Sequence, residues 1–162
     1  MGGEFRLRAA ANEDGEGIRR MVFAVLREFG LAPDPGAIDA DLADIDGLYL
    51  RRGGAFDVLI DAAGEIVGTV GLFPLGGGRC ELRKMYLAAG CRGQGLGKRL
   101  LEHALGRARE LGFQRVELET ADTLSAAGRL YESFGFRVFV PDHMSARCDR
   151  AYYLDLGNNE PT

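Results

Sequence analysis

The sequence has few cysteines, no long apolar run and no basic excess, and each absence excludes a class of protein. Its three cysteines are odd in number and lack C-x-x-C spacing, which argues against a disulfide framework and a metal site. No stretch is apolar for long enough to span a bilayer, and the N-terminus lacks a basic segment followed by an apolar run. The formal net charge of -4 argues against a nucleic-acid partner. We therefore expect a cytoplasmic protein without a membrane partner.

The bulk composition is that of a folded protein. Hydrophobic residues make up 46% and charged residues 27% of the 162 residues, which is enough for one sizeable core. We expect a single domain over residues 1–156, followed by a frayed tail over residues 157–162.

Hydrophobic periodicity predicts an alternation of strands and helices. Asn12 is the predicted cap of the first helix, and Asp34-Pro35 is a typical start for a second, short helix. The predicted strands cover residues 5–9, 56–60, 65–73, 79–87, 113–120, 136–140 and 150–156. The predicted helices cover residues 12–29, 34–42, 95–112 and 125–134. The strand, helix and strand over residues 79–120 imply a right-handed crossover, so the two strands of that unit should be parallel.

A glycine-rich turn at residues 91–98 joins a strand to a strongly amphipathic helix. The first N–H groups of a helix lack internal partners, and glycines let an anion approach the backbone closely. The turn does not fit two common phosphate-binding motifs. A dinucleotide fingerprint would need a glycine where Lys98 stands, and a P-loop would need a glycine at Arg92 and a serine or threonine at Arg99.

The turn matches R-x-x-G-x-G at Arg92, Gly95 and Gly97, and here the sequence resembles the GNAT superfamily of N-acetyltransferases. The resemblance extends to ELRKMYL at residues 81–87 and LYESFGF at residues 130–136, in the family's order. It implies an α/β (α+β) fold with a mixed, largely antiparallel sheet, a splayed parallel pair of central strands and helices on both faces. Many members carry a CoA-contacting asparagine where this chain has Leu124.

The resemblance also implies the ligand, which is acetyl-CoA or CoA without a metal. The pantetheine arm would lie between the splayed strands and pair with main-chain groups of Met85 and Leu87. The residues expected to contact the cofactor are Met85, Tyr86, Leu87, Arg92, Gly93, Gln94, Gly95, Leu96, Gly97, Lys98 and Tyr131.

Acetyl transfer to an amine needs a base for the ammonium and an acid for the departing thiolate. By resemblance Tyr131 is the candidate acid; the alternative is that Tyr131 is an aromatic residue that only packs in the core. Glu81 occupies a position where some members keep a catalytic glutamate, although strand glutamates also serve solubility; Glu119 is a second candidate. An acyl intermediate on Cys91 is conceivable at a helix N-terminus, but the diphosphate should occupy that place.

The acceptor groove by resemblance lies between the first two helices and the last hairpin. That region holds an acidic cluster, which either draws a cationic amine or forms a solvated helix face. Its members are Asp34, Asp39, Asp41, Asp44 and Asp46. His143 and Cys148 lie in the final loop, where they either contact the acceptor or are residues without a functional role.

We expect an acetyl-CoA-dependent amine N-acetyltransferase that works by direct attack in a ternary complex, on a small molecule or a peptide. The alternatives are a non-catalytic acyl-CoA-binding sensor and a nucleotide-phosphate binder. Dimers are frequent in the family, so a homodimer is compatible with the resemblance.

Overall fold

A computed structural model describes residues 4–121 and 125–157 of the chain. Its strands are β1 (Arg6–Ala9), β2 (Ala55–Ile60), β3 (Ile66–Gly76), β4 (Arg79–Leu87), β5 (Arg115–Thr120), β6 (Arg137–Phe139) and β7 (Arg150–Asp155). Its helices are α1 (Gly15–Glu28), α2 (Leu96–Glu110) and α3 (Ser125–Ser133). The predicted cofactor position Leu124 and residues 158–162 of the predicted tail lie outside the described residues.

The strands form one seven-stranded sheet in the order β1-β2-β3-β4-β5-β7-β6. Neighbouring strands are antiparallel except β4 and β5, which are parallel as the crossover through α2 requires. The predicted fold class, a largely antiparallel mixed sheet with one parallel pair, is therefore confirmed.

Helices cover both faces of the sheet, because alternate strand residues point to opposite sides. On β2, Ala55 and Leu59 join the core beneath α2, whereas Phe56, Val58 and Ile60 join the core beneath α1. The apolar stripe of each helix fills its own core; the fully buried members include Ile18, Val22 and Leu26 of α1 and Leu100, Leu101 and Ala108 of α2. No helix among the described residues is long and apolar enough to cross a membrane.

The β3–β4 hairpin turns at Gly77 and Gly78, whose φ angles are +63° and +78°. Positive φ at both positions is what a two-residue turn between twisted strands requires, and glycine adopts it without steric cost. The predicted turn at the triple glycine is thus observed, and it sets the register in which β4 pairs with β3.

The helix predicted over residues 34–42 is wrong. Residues 35–39 form turns, a 3₁₀ turn follows at Ala40–Ala43, and a π-helical turn covers Asp46–Leu50. The carboxylate of Asp39 accepts a hydrogen bond from the N–H of Asp34 (2.8 Å), so it turns inward instead of lying on a helix surface. Side chains of Asp that bond nearby main chain compete with helix formation, and here that competition prevails.

The first helix also starts differently from the prediction. A 3₁₀ turn covers Asn12–Asp14, and α1 begins at Gly15. Asn12 does not cap the helix; its side chain donates to Asp44 (3.1 Å) and accepts from the N–H of Asp46 (3.0 Å). Asp14 instead bonds the N–H of Ala11 at 2.9 Å, so a carboxylate closes the start of the helical segment.

Candidate functional site

A cleft opens where β4 and β5 diverge. The two strands pair only from Arg79↔Arg115 to Glu81↔Glu117, although β4 continues to Leu87 and β5 to Thr120. Beyond Glu81, the edge of β4 that faces β5 therefore lacks a strand partner. The cleft encloses about 1280 Å³ between this edge, the start of α2, α3 and the loops before β2 and β7.

A β-bulge in β4 shapes the cleft floor. The β3–β4 register changes between Thr69↔Tyr86 and Gly71↔Arg83, and Lys84 within the bulge has a φ of +54°. A non-glycine residue at positive φ costs energy, so surrounding contacts must hold it. Thr69 Oγ1 supplies one such contact by donating to the carbonyl of Lys84 at 2.6 Å. The bulge lets Met85 and Leu87 pack on the same side of the sheet as Leu82.

The glycine turn presents free N–H groups to the cleft. Gly95 precedes α2 with a φ of +78°, and the first bond within the helix runs from Arg99 N to Gly95 O at 3.1 Å. The N–H groups of Leu96, Gly97 and Lys98 consequently have no partner within the helix. The residues of the turn that line the cleft are Arg92, Gly93, Gly95, Leu96, Gly97 and Lys98; Gln94 is exposed outside that lining.

Arg92 is held by several groups at the mouth of the cleft. Its guanidinium forms a two-pronged ion pair with Glu28, whose Oε1 lies 3.0 Å from Nη2. It also stacks over the ring of Phe29, 4.9 Å from the centroid, and donates to the carbonyl of Leu87 through Nε (3.2 Å) and Nη2 (3.0 Å). Glu28 therefore already forms an ion pair with Arg92, the side chain that the sequence analysis predicted would bind an anionic ligand.

Tyr131 lies on α3 with its ring in the core and its hydroxyl at the cleft. It is 4% exposed, and its ring packs against Phe136 (5.6 Å between centroids) and Tyr152 (5.9 Å). The hydroxyl donates to Met85 Sδ at 3.9 Å, a weak contact. Burial raises the pKa of Tyr131 well above its ordinary value, so the hydroxyl stays protonated and can act as an acid.

Both candidate glutamates line the cleft, in different surroundings. Glu81 on β4 is paired with Arg83, whose guanidinium stacks over Phe73 at 3.9 Å. Glu119 on β5 accepts a hydrogen bond from the N–H of Ser145 at 2.7 Å and has no cationic partner among the described residues. The structure brings both carboxylates into one cleft with Tyr131.

Two members of the predicted acidic cluster are buried in ion pairs. Asp39 binds both Lys84 (3.2 Å) and Arg147 (2.8 Å), and Asp41 binds Lys84 (3.2 Å) and the hydroxyl of Tyr49. Burial raises the pKa of Asp39, but the hydrogen bonds from Arg147 and Asp34 and the two positive charges outweigh it and leave the pKa low. These carboxylates are neither a solvated helix face nor free to attract an amine.

Sequence reasoning missed Lys84 and Arg147. Arg147 lies 108 residues from Asp39 along the chain, so no local pattern connects them. A lysine between Arg83 and Met85 in a strand carries no signal of a bulge. Both pairings become visible only when the sheet brings β4, the loop after α1 and the loop before β7 together.

The cysteines and the remaining candidates are arranged as follows. Cys91 packs against the core and is not part of the cleft lining, whereas Cys148 and His143 line it. Burial and the charge of Glu119 raise the pKa of Cys148 to about 11, so it is a neutral thiol at physiological pH. No cluster among residues 4–121 and 125–157 could hold a metal ion.

Comparison with known proteins agrees with this geometry. Residues 20–136 match the family described as the acetyltransferase (GNAT) family. The chain is 39% identical over 135 residues to the uncharacterized N-acetyltransferase YjgM of Escherichia coli, which covers 80% of each protein. Its fold matches a GNAT-family acetyltransferase of Staphylococcus aureus Mu50 with a TM-score of 0.89 and 27% identity, over 95% of this chain and 100% of that one.

A second solved structure shows the fold together with a ligand. It is yncA, a putative acetyltransferase from Salmonella typhimurium with its cofactor acetyl-CoA, and it matches with a TM-score of 0.74 at 20% identity over 98% of both chains. From the match over most of its length and the close relative in E. coli, the chain belongs to the GNAT family of acetyltransferases.

Proposed function

We propose that the protein transfers the acetyl group of acetyl-CoA to a primary amine by direct attack within a ternary complex. One observation carries the proposal: diverging strands, an unpaired helix N-terminus and the protonated hydroxyl of Tyr131 meet in one cleft. We therefore assign the N-terminus of α2 to the diphosphate, the strand edge to the pantetheine arm and Tyr131 to acid catalysis.

The residues present fit the cofactor. Three free N–H groups of α2 and the positive end of its dipole suit a diphosphate, and Arg92 and Lys98 add full charges. The edge of β4 at Met85 and Leu87 has no strand partner and suits an amide-containing arm that bonds like a strand, although Arg92 already donates to the carbonyl of Leu87. The proposed cofactor site also includes Tyr86, Gly93, Gln94, Gly95, Leu96 and Gly97. The presence of acetyl-CoA in the yncA structure supports this choice of ligand.

Tyr131 is the proposed general acid. A departing thiolate is better released as a thiol, and the hydroxyl of Tyr131, which lines the cleft and carries its proton at neutral pH, is placed to donate that proton to the sulfur. Among the described residues, its hydroxyl donates only to the weak acceptor Met85 Sδ.

Glu81 is the proposed general base, acting directly or through a water molecule. An alkyl amine with a pKa of about 10.4 arrives protonated, so it must lose a proton before it attacks. Glu81 lies on the same strand as Met85 and faces the cleft, with Arg83 holding its carboxylate in place. Glu119 is the second candidate, because its carboxylate has no cation to compete with an ammonium.

Direct attack is favoured over an acyl-cysteine intermediate. Cys148 is the thiol in the cleft, and a pKa of about 11 leaves very little thiolate at neutral pH. We also retain the expectation of a cytoplasmic protein without membrane or nucleic-acid partners, and a homodimer is compatible with the family resemblance.

A panel of primary amines, each incubated with acetyl-CoA and the protein, tests the proposal. Free thiol is followed as it is released, and the acetylated amine is identified by mass spectrometry. We expect thiol release that depends on the amine and an amide product in equal amount. Tight binding of acetyl-CoA without transfer to any amine would instead favour the non-catalytic sensor.

A further inference from the structure

Two loops contribute residues to the lining of the cleft. The first loop (residues 30–39) follows α1, and the last loop (residues 140–149) precedes β7. Asp34, Ala37 and Ile38 of the first loop and Met144, Ala146 and Arg147 of the last loop line the cleft.

Arg147 joins the two loops directly. Its Nη1 donates to Asp39 Oδ2 at 2.9 Å and its Nη2 donates to Oδ1 at 2.8 Å, a two-pronged pair. Nη1 also donates to the carbonyl of Ala32 at 3.2 Å. The Arg147 side chain is 10% exposed and that of Asp39 is fully buried, so this bridge is not a solvated surface pair.

The bridge is anchored to the strand that forms the cleft floor. Lys84 Nζ lies 3.2 Å from Asp39 Oδ1 and donates to the carbonyl of Ile38 at 3.1 Å. The N–H of Asp34 donates to Asp39 Oδ2 at 2.8 Å. Separating the loops would leave a buried carboxylate short of partners, which is far more costly than breaking an exposed ion pair.

The charges of the ion pairs that line or support the cleft cancel. Asp39 and Asp41 balance Lys84 and Arg147, and Glu81 balances Arg83. Glu119 lines the same cleft; among the described residues its carboxylate accepts a hydrogen bond from the N–H of Ser145 and has no cationic partner. Asp34 of the first loop also lines the cleft without a cationic partner among the described residues, so the cleft offers an ammonium group two separate carboxylates and no long acidic track for a chain of positive charges.

We infer that the acceptor is the amine of a small molecule that enters the cleft end-on, and not a lysine within a polypeptide lying across the cleft. Both loops line the cleft and the buried Arg147–Asp39 pair ties them together, so a polypeptide could lie between them only if this pair separated. This inference rests on the proposed function and narrows it to one class of acceptor.

The test compares catalytic efficiency toward two kinds of acceptor. Free amines such as amino acids and short diamines form one set, and ten-residue peptides with a single internal lysine and blocked termini form the other. We expect kcat/KM for the best free amine to exceed that for the best peptide by at least 100-fold. In Arg147→Gln the ratio should fall at least tenfold through a faster reaction with peptides, while Arg137→Gln, an exposed change on β6, should leave it unchanged.

Two results would overturn the inference. Wild-type protein that acetylates an internal lysine within tenfold of the best free amine would show that the bridge does not exclude chains. A ratio unchanged in a folded Arg147→Gln variant would show that the bridge does not determine the acceptor. If that variant does not fold, the wild-type ratio alone decides. Binding of acetyl-CoA without transfer to either set would count against the proposed function itself, and the inference would fail with it.

Discussion

Replacing Tyr131 with phenylalanine removes one hydroxyl and leaves the core intact. The ring keeps its contacts with Phe136 and Tyr152, and the lost hydrogen bond runs to the thioether of Met85 at 3.9 Å. Because so weak a bond contributes little, we expect the free energy of unfolding to change by less than about 1 kcal/mol. If the hydroxyl protonates the leaving thiolate, kcat should fall by about 10²- to 10⁴-fold, since general acids contribute about that much.

The assay follows thiol release at saturating acetyl-CoA and an accepted amine, and calorimetry measures acetyl-CoA affinity separately. We expect a lower kcat with an unchanged dissociation constant. Tyr152→Phe is the matched control, because Tyr152 is also fully buried but its hydroxyl donates to Glu132 at 3.2 Å and does not line the cleft. A kcat for Tyr131→Phe within threefold of wild type, or an equal fall in the control, would refute the assignment.

Three further changes test other parts of the structure. Glu28→Gln should tighten acetyl-CoA binding about 2- to 5-fold in calorimetry, because it frees Arg92 from a partly exposed ion pair of up to about 1 kcal/mol. Because the pKa of Asp39 is low in the folded protein, its carboxylate stabilises the fold above the ordinary pKa of about 3.9, and this stabilisation is lost as the pH falls through the pKa of the folded state. In Asp39→Asn, the free energy of unfolding should therefore fall less steeply below about pH 4 than in wild type. Asp57→Asn should lower the free energy of unfolding in urea by about 1–2 kcal/mol, because the buried carboxylate holds His103 at 2.6 Å.

Each of these expectations has a result that contradicts it. For Glu28→Gln, the control is Glu16→Gln, which removes an exposed ion pair on the same helix. If Glu28→Gln binds acetyl-CoA no more tightly than this control, Glu28 does not compete with the cofactor for Arg92. For Asp39→Asn, an acid transition with the wild-type slope would show that the carboxylate titrates normally. For Asp57→Asn, an unchanged free energy of unfolding would show that the contact between this carboxylate and His103 contributes little to stability.

Local patterns in the sequence predicted the parts of the fold that depend on local interactions. The strand and helix around the glycine turn were predictable because the helix pattern of α2 and the glycines at positive φ are neighbours in the chain. Tyr131 was singled out from a resemblance to family motifs, and the structure places its hydroxyl in the cleft. Its role, like those of Glu81 and the cofactor-contacting residues, stays a prediction.

The loop after α1 could not be predicted in this way. Asp34-Pro35 is a sound local signal for a helix start, yet Asp39 turns inward to Lys84 and Arg147, and these long-range ion pairs override the local preference. The bulge at Lys84 was equally hidden, since its stabilising contacts come from Thr69 and from Asp39 and Asp41. The acceptor side of the cleft is therefore the part that required the structure.

The most direct test of the account compares the binding of acetyl-CoA with that of acetyl-pantetheine, which has the same thioester and arm but lacks the diphosphate together with the 3′-phosphoadenosine attached to it. We propose that the unpaired N–H groups at the N-terminus of α2 bind that diphosphate. We predict at least 100-fold tighter binding of acetyl-CoA, a difference of about 2.7 kcal/mol. Equal affinity for the two ligands would contradict the central claim that the glycine turn is the cofactor site.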